Sequence, residues 1–72
     1  MTEHLLSRIP GGYVAKALMT LPAAAKADAG AVMDCFVNVP ELGHVRITAR
    51  RLEHKRGRDT HYFWTAERAA HE

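Results

Sequence analysis

Seventy-two residues at 8.0 kDa make room for one small domain, residues 1–72, and exclude a multidomain enzyme. Ten Lys and Arg against eight Asp and Glu leave a net charge of only +2, which excludes a disordered polyelectrolyte. The apolar fraction is 47%, but 12 of those side chains are alanine, so the core is thin, and chains of this size bury only about 60% of their unfolded surface.

In chain order, Thr2 can cap a short helical turn that runs to Arg8 and is broken by Pro10, Gly11 and Gly12. From Tyr13, the residues Val14, Ala17, Leu18 and Leu21 recur at helical steps, predicting a helix that ends near Thr20. Pro22 suits the first position of a further helix, Ala23 to Ala29 propagate it, and Gly30 reads as its cap or as a turn.

Residues 31–39 fit two templates. As a helix, Val32, Cys35, Phe36 and Val39 form one stripe; as a strand, Met33, Cys35, Val37 and Val39 alternate with Asp34, Phe36 and Asn38. The helix is the preferred reading, giving a helical part over 2–39. Pro40 ends either element, and Glu41-Leu42-Gly43 supplies a turn.

His44 to Glu53 and Thr60 to Glu67 are rich in β-branched and aromatic residues around Gly57, predicting a β-hairpin over 44–67. With Arg56-Gly57 as its turn, Ala49 faces Trp64, Ile47 faces Ala66 and Arg51 faces Tyr62. Val45, Ile47, Ala49, Tyr62, Trp64 and Ala66 then form an apolar face, and Arg46, Thr48, Arg50, Phe63, Thr65 and Glu67 the other. The expected fold class is α+β, short N-terminal helices followed by an antiparallel β-hairpin. The alternative is helices plus a three-stranded antiparallel meander.

Charge is uneven along the chain. Residues 1–43 carry three Lys and Arg against four Asp and Glu, a net of −1, while residues 44–72 carry seven against four, a net of +3. Arg46, Arg50, Arg51, Lys55, Arg56 and Arg58 are opposed within their stretch only by Glu53. A basic hairpin can lie along a phosphate backbone, and the planar arginine fork suits phosphate and guanine. Arg46, Arg50, Lys55, Arg56 and Arg58 are therefore the candidate phosphate contacts, with Phe63 as an exposed stacking surface and Asn38 as a base contact. The competing reading is a solvated hairpin whose charges deter edge-to-edge aggregation and pair with Glu53, Asp59 or Glu67. His44, His54 and His61 lie in the same basic part and read first as surface residues.

Catalysis finds little support. Cys35 lies on an apolar stripe and reads as a buried, inert thiol. Cys35 with His4, His44, His54, His61 and His71 lacks the close spacing of a zinc finger, and Gly11-Gly12 carries no phosphate-loop signature, so no metal or cofactor is expected. The start of the chain lacks the hydrophobic run and cleavage site of a signal peptide, and no run reaches the roughly 20 apolar residues of a membrane span, so the location expected is cytoplasmic. A second subunit is the remaining way for so small a core to bury more surface, which leaves a homodimer open.

Helices followed by a basic two-stranded wing resemble a winged helix-turn-helix DNA-binding domain over residues 12–67. Ala23 to Ala29 would be the positioning helix, Gly30 the turn, Ala31 to Val39 the recognition helix, and Gly57 the wing tip. The resemblance implies DNA binding and transcription regulation. In this chain the recognition segment offers only Met33, Asp34 and Asn38, so the hairpin is expected to carry more of the affinity. The alternative function is a non-catalytic protein-interaction or inhibitor module presenting the same arginines to an acidic partner.

Overall fold

The computed structural model describes residues 4–72. Two short helices, α1 (Leu5–Arg8) and α2 (Gly11–Leu18), precede a single 3-10 turn (Ala24–Lys26) and three strands, β1 (Val32–Val39), β2 (Gly43–Arg56) and β3 (Asp59–His71). The strands form one antiparallel sheet in the order β1-β2-β3, an α+β arrangement that matches the expected class at its coarse level and the meander in its strand count. Thr2 lies outside the described residues. The turn it was expected to cap is present as α1, with Ser7 Oγ donating to the His4 carbonyl at 2.7 Å.

Pro10 stands immediately before α2, and Gly11 and Gly12 form its first turn instead of breaking the chain. The expected stripe is the packed one: Ala17 is fully buried, and Tyr13, Val14, Leu18 and Leu21 are half-buried against the core. The Thr20 hydroxyl donates back to the Ala17 carbonyl at 2.7 Å as the chain leaves the helix.

Two helical expectations are corrected. Ala23 to Ala29 is not a helix but one 3-10 turn, in which only Ala24 is buried. A run of alanines has propensity without an apolar face to bury, and a helix this short is marginal without packing. Its backbone is also claimed from outside: the Pro22 carbonyl accepts from Trp64 Nε1 (2.8 Å) and the Ala24 carbonyl from Arg51 Nε (3.0 Å). Residues 31–39 are strand β1, not a helix, so the helical part ends well before Val39. Cys35, Val37 and Val39 point inward, while Val32 and Phe36, which shared the helical stripe, are each 46% exposed. The strand wins because the turn at Pro40–Leu42 folds this β-branched segment back along β2, where its backbone groups pair from Val32↔Arg50 to Val39↔Gly43.

The hairpin is longer than 44–67 and its register differs. Ala49 pairs with Ala66, and Arg51 with Trp64, because the two-residue turn is Gly57-Arg58 and not Arg56-Gly57. Gly57 has φ +63 and Arg58 lies outside the positive-φ region, the pattern of a type II′ turn with glycine first. A displacement of two positions leaves every side chain on its expected face. Between Thr48 and Ala49 the register then shifts by one, leaving Glu67 as an extra residue opposite them. Ile47 consequently pairs with Ala69 instead of Ala66.

The helices and the Pro22–Ala29 segment cover one face of the sheet. The core between them holds Ile9, Ala17, Cys35, Val37, Val39, Val45 and Ile47. Beyond Arg51 the β2–β3 ribbon runs on without β1, which makes the molecule long: 43 × 26 × 19 Å, with a radius of gyration of 13.2 Å against roughly 11 Å for a compact chain of this length. We call this free end, residues 52–62, the arm.

Candidate nucleic-acid interface

The predicted phosphate contacts separate into two groups. Lys55, Arg56 and Arg58 are exposed on the arm around the Gly57 turn. Among the described residues the single ion pair is Arg50–Glu67, so these three cations have no carboxylate within 4.0 Å. Glu53 and Asp59 share the arm, leaving it one net positive charge, with His54 and His61 paired across the strands beside Lys55.

Arg46 and Arg50 lie elsewhere, on the sheet face that no helix covers. Arg46 is exposed between Phe36 and Ala70, its neighbours on β1 and β3. Arg50 is already engaged: its Nε donates to Glu67 Oε1 at 2.6 Å and its terminal nitrogen to Oε2 at 3.5 Å. That hydrogen bond and the accompanying attraction raise the Arg50 pKa and lower that of Glu67. The pair is exposed and adds little to stability.

Phe63 is 44% exposed and pairs with Leu52 at the root of the arm, on the same uncovered face. Asn38 stands at the other end of the molecule. It pairs with His44, and the twelve β2 positions from there to Arg56, at roughly 3.3 Å each, put the two about 40 Å apart. Asn38 Oδ1 accepts from His44 Nδ1 at 2.8 Å, and the His44 ring stacks on Phe36 with centroids 5.7 Å apart and planes 2° from parallel. The fold thus unites Lys55, Arg56 and Arg58, sets Arg46, Arg50 and Phe63 on the uncovered face, and isolates Asn38.

Two features were not drawn from the sequence. Phe36 is exposed beside Arg46, a placement that the strand alternation of residues 31–39 contains and the helical stripe conceals. Arg51, counted among the cations and expected to face Tyr62, is buried: its guanidinium carbon sits 4.1 Å from the Tyr62 ring centroid while Nε holds the Ala24 carbonyl. Tyr62, expected in the core, is 40% exposed beneath that guanidinium, whereas Trp64 is half-buried. Cys35 is buried as expected, its Sγ 3.6 Å from the Ile47 carbonyl; burial, and secondarily Asp34, raises its pKa, so the thiol is a poor nucleophile at neutral pH.

Among the described residues no group of three or more His, Cys, Asp or Glu side chains could hold a metal ion, and no helix is long and apolar enough to cross a membrane. No family model, curated protein or solved structure matches this chain.

Proposed function

We propose that this protein is a small, non-catalytic nucleic-acid-binding protein that contacts the phosphate backbone of DNA through the arm. The observation that carries this reading is the protruding two-stranded ribbon, whose tip bears Lys55, Arg56 and Arg58 without ion-pair partners among the described residues. A narrow ribbon can follow a groove or a phosphate ridge that a globular surface cannot enter, and cations there displace condensed counterions. From the winged-helix resemblance the proposal keeps the wing as the phosphate-contacting element. Residues 31–39 form a strand, so no groove-reading helix is assigned to them. Arg46 and Phe63 are secondary contacts, reached only if the nucleic acid extends from the arm onto the uncovered sheet face; Arg50 and Asn38 are already engaged by Glu67 and His44.

A salt titration of binding to duplex and single-stranded DNA tests the proposal. Three phosphate contacts predict a slope of about −2.7 in log K against log salt, so a fourfold rise in salt should weaken duplex binding roughly 40-fold. Replacing Lys55, Arg56 and Arg58 together by alanine should abolish that dependence. No binding at low salt, or binding unchanged in the triple variant, would overturn the reading, and a stoichiometric acidic protein captured through the same three residues would replace it.

A further inference from the structure

Two of the chain's five histidines occupy matching positions on the arm. His54 of β2 stands directly opposite His61 of β3, two residue pairs in from Arg56 and Asp59, which flank the Gly57-Arg58 turn. Residues paired in this way point to the same side of an antiparallel ribbon with Cβ atoms about 4.5–5.5 Å apart, so one phosphate can lie between the two rings. Both side chains are exposed. Among the described residues neither imidazole has a hydrogen-bond partner or a carboxylate within 4.0 Å, unlike His44, whose Nδ1 is held by Asn38.

The charged groups facing the pair are those of the ribbon itself, which runs on here without β1. Alternation sets His54 and His61 on one side with Arg56 and Asp59 toward the tip, and with Leu52 and Phe63 toward the root. Glu53, Lys55 and Tyr62 lie on the opposite side, with Arg51 beyond them turned to the Ala24 carbonyl, and Arg58 sits in the turn. Lys55, Arg56 and Arg58 against Glu53 and Asp59 leave the arm one net positive charge with both imidazoles neutral, and three with both protonated.

Histidine is the side chain whose ordinary change of charge falls between about pH 5 and 8. Two imidazolium groups directly opposite each other repel, and a phosphate set between them replaces that repulsion with two charge-assisted contacts. Protonation and phosphate binding then favour each other, each strengthening the other by the same factor.

We propose that His54 and His61 are proton-dependent phosphate contacts, so that nucleic-acid binding by the arm takes up protons and tightens as the pH falls. The proposal rests on the arm being the phosphate-contacting element. The pair carries the contact from the cations at the tip toward the root, where Phe63 begins the uncovered sheet face. The sign follows from linkage: for each proton taken up on binding, log K rises by one for every unit the pH falls.

Binding of the full chain to one duplex, measured at about pH 8 and about pH 5.5, tests this. Affinity at a fixed salt concentration should rise at least about tenfold at the lower pH. Five phosphate contacts in place of three should steepen the salt slope from about −2.7 to about −4.5. Titration calorimetry of the wild-type chain near neutral pH, in two buffers of different ionisation enthalpy, should register roughly one proton taken up per complex, a readout that needs no variant. His54→Gln combined with His61→Gln should remove most of the gain, and His71→Gln, at an exposed side chain far from the arm, should keep it. Equal affinity at the two pH values, no proton uptake, or a gain retained in the double variant overturns the inference. Any of these results accompanied by salt-dependent binding leaves the arm as the phosphate contact, whereas no binding at either pH ends both.

Discussion

Arg51 is the one charged side chain buried among the described residues, and it is satisfied on two sides, by the Ala24 carbonyl at 3.0 Å and the Tyr62 ring at 4.1 Å. A hydrogen bond from a charged donor contributes about 1.5–3 kcal/mol, and a cation over an aromatic face about 0.5–1. Arg51→Ala should therefore destabilise the fold by about 2–4 kcal/mol, read as a lowered urea midpoint. Arg51→Lys should recover only part of this, since an ammonium cannot reproduce the planar fork. An unchanged midpoint in both variants would show that the Ala24 loop is held by Trp64 alone. From composition Arg51 counts as one more cation of a basic stripe. Only its strand position, on the inward face with Ala49 and Ile47, distinguishes it from Arg50, and even that does not reveal the carbonyl waiting for it 27 residues earlier.

At the scale of elements, the turn between β1 and β2 carries a local strain. Leu42 N–H closes it on the Val39 carbonyl at 3.0 Å, and Glu41 sits at φ +72 after Pro40. That is the third position of a type II turn, which favours glycine or asparagine. Asparagine tolerates the left-handed region, whose cost to other residues is about 1–2 kcal/mol, so Glu41→Asn should stabilise the protein by about 0.5–1 kcal/mol in thermal or urea unfolding. A neutral or destabilising outcome would place the turn in another conformation. The hairpin, read from two agreeing signals, alternation and a glycine turn, is present, and α2 was found from the helical spacing that begins at Tyr13, although the helix itself starts at Gly11, a residue read as a breaker. Ala23 to Ala29 had propensity alone, and packing against Trp64 and Arg51 overrode it.

At the scale of the molecule, stability is distributed unevenly. Val45, Ile47 and Ala49 are fully buried where β2 has a neighbour on each side, whereas the arm is a two-stranded ribbon with exposed side chains on both faces. A ribbon without a packed face is marginal in water. Amide hydrogen exchange should therefore be fast from Leu52 to Tyr62 and slowest from Val45 to Ala49, by at least two orders of magnitude. Equal protection in both regions would mean that the arm is packed against something. A readily distorted arm suits a ribbon that adjusts to a nucleic-acid surface.

Alternation alone settled which side of each hairpin strand is apolar, because a period of two survives the displaced turn: Val45, Ile47 and Ala49 face inward in either register. Composition likewise placed the basic excess on residues 44–72. The fate of residues 31–39 was decided only in three dimensions. Their apolar spacing satisfies a helix and a strand equally, and the choice fell to the unpaired edge of β2, which gives their backbone groups partners from Val32 to Val39. The same pairing turned Phe36 outward beside Arg46, because successive side chains of a strand point to opposite faces.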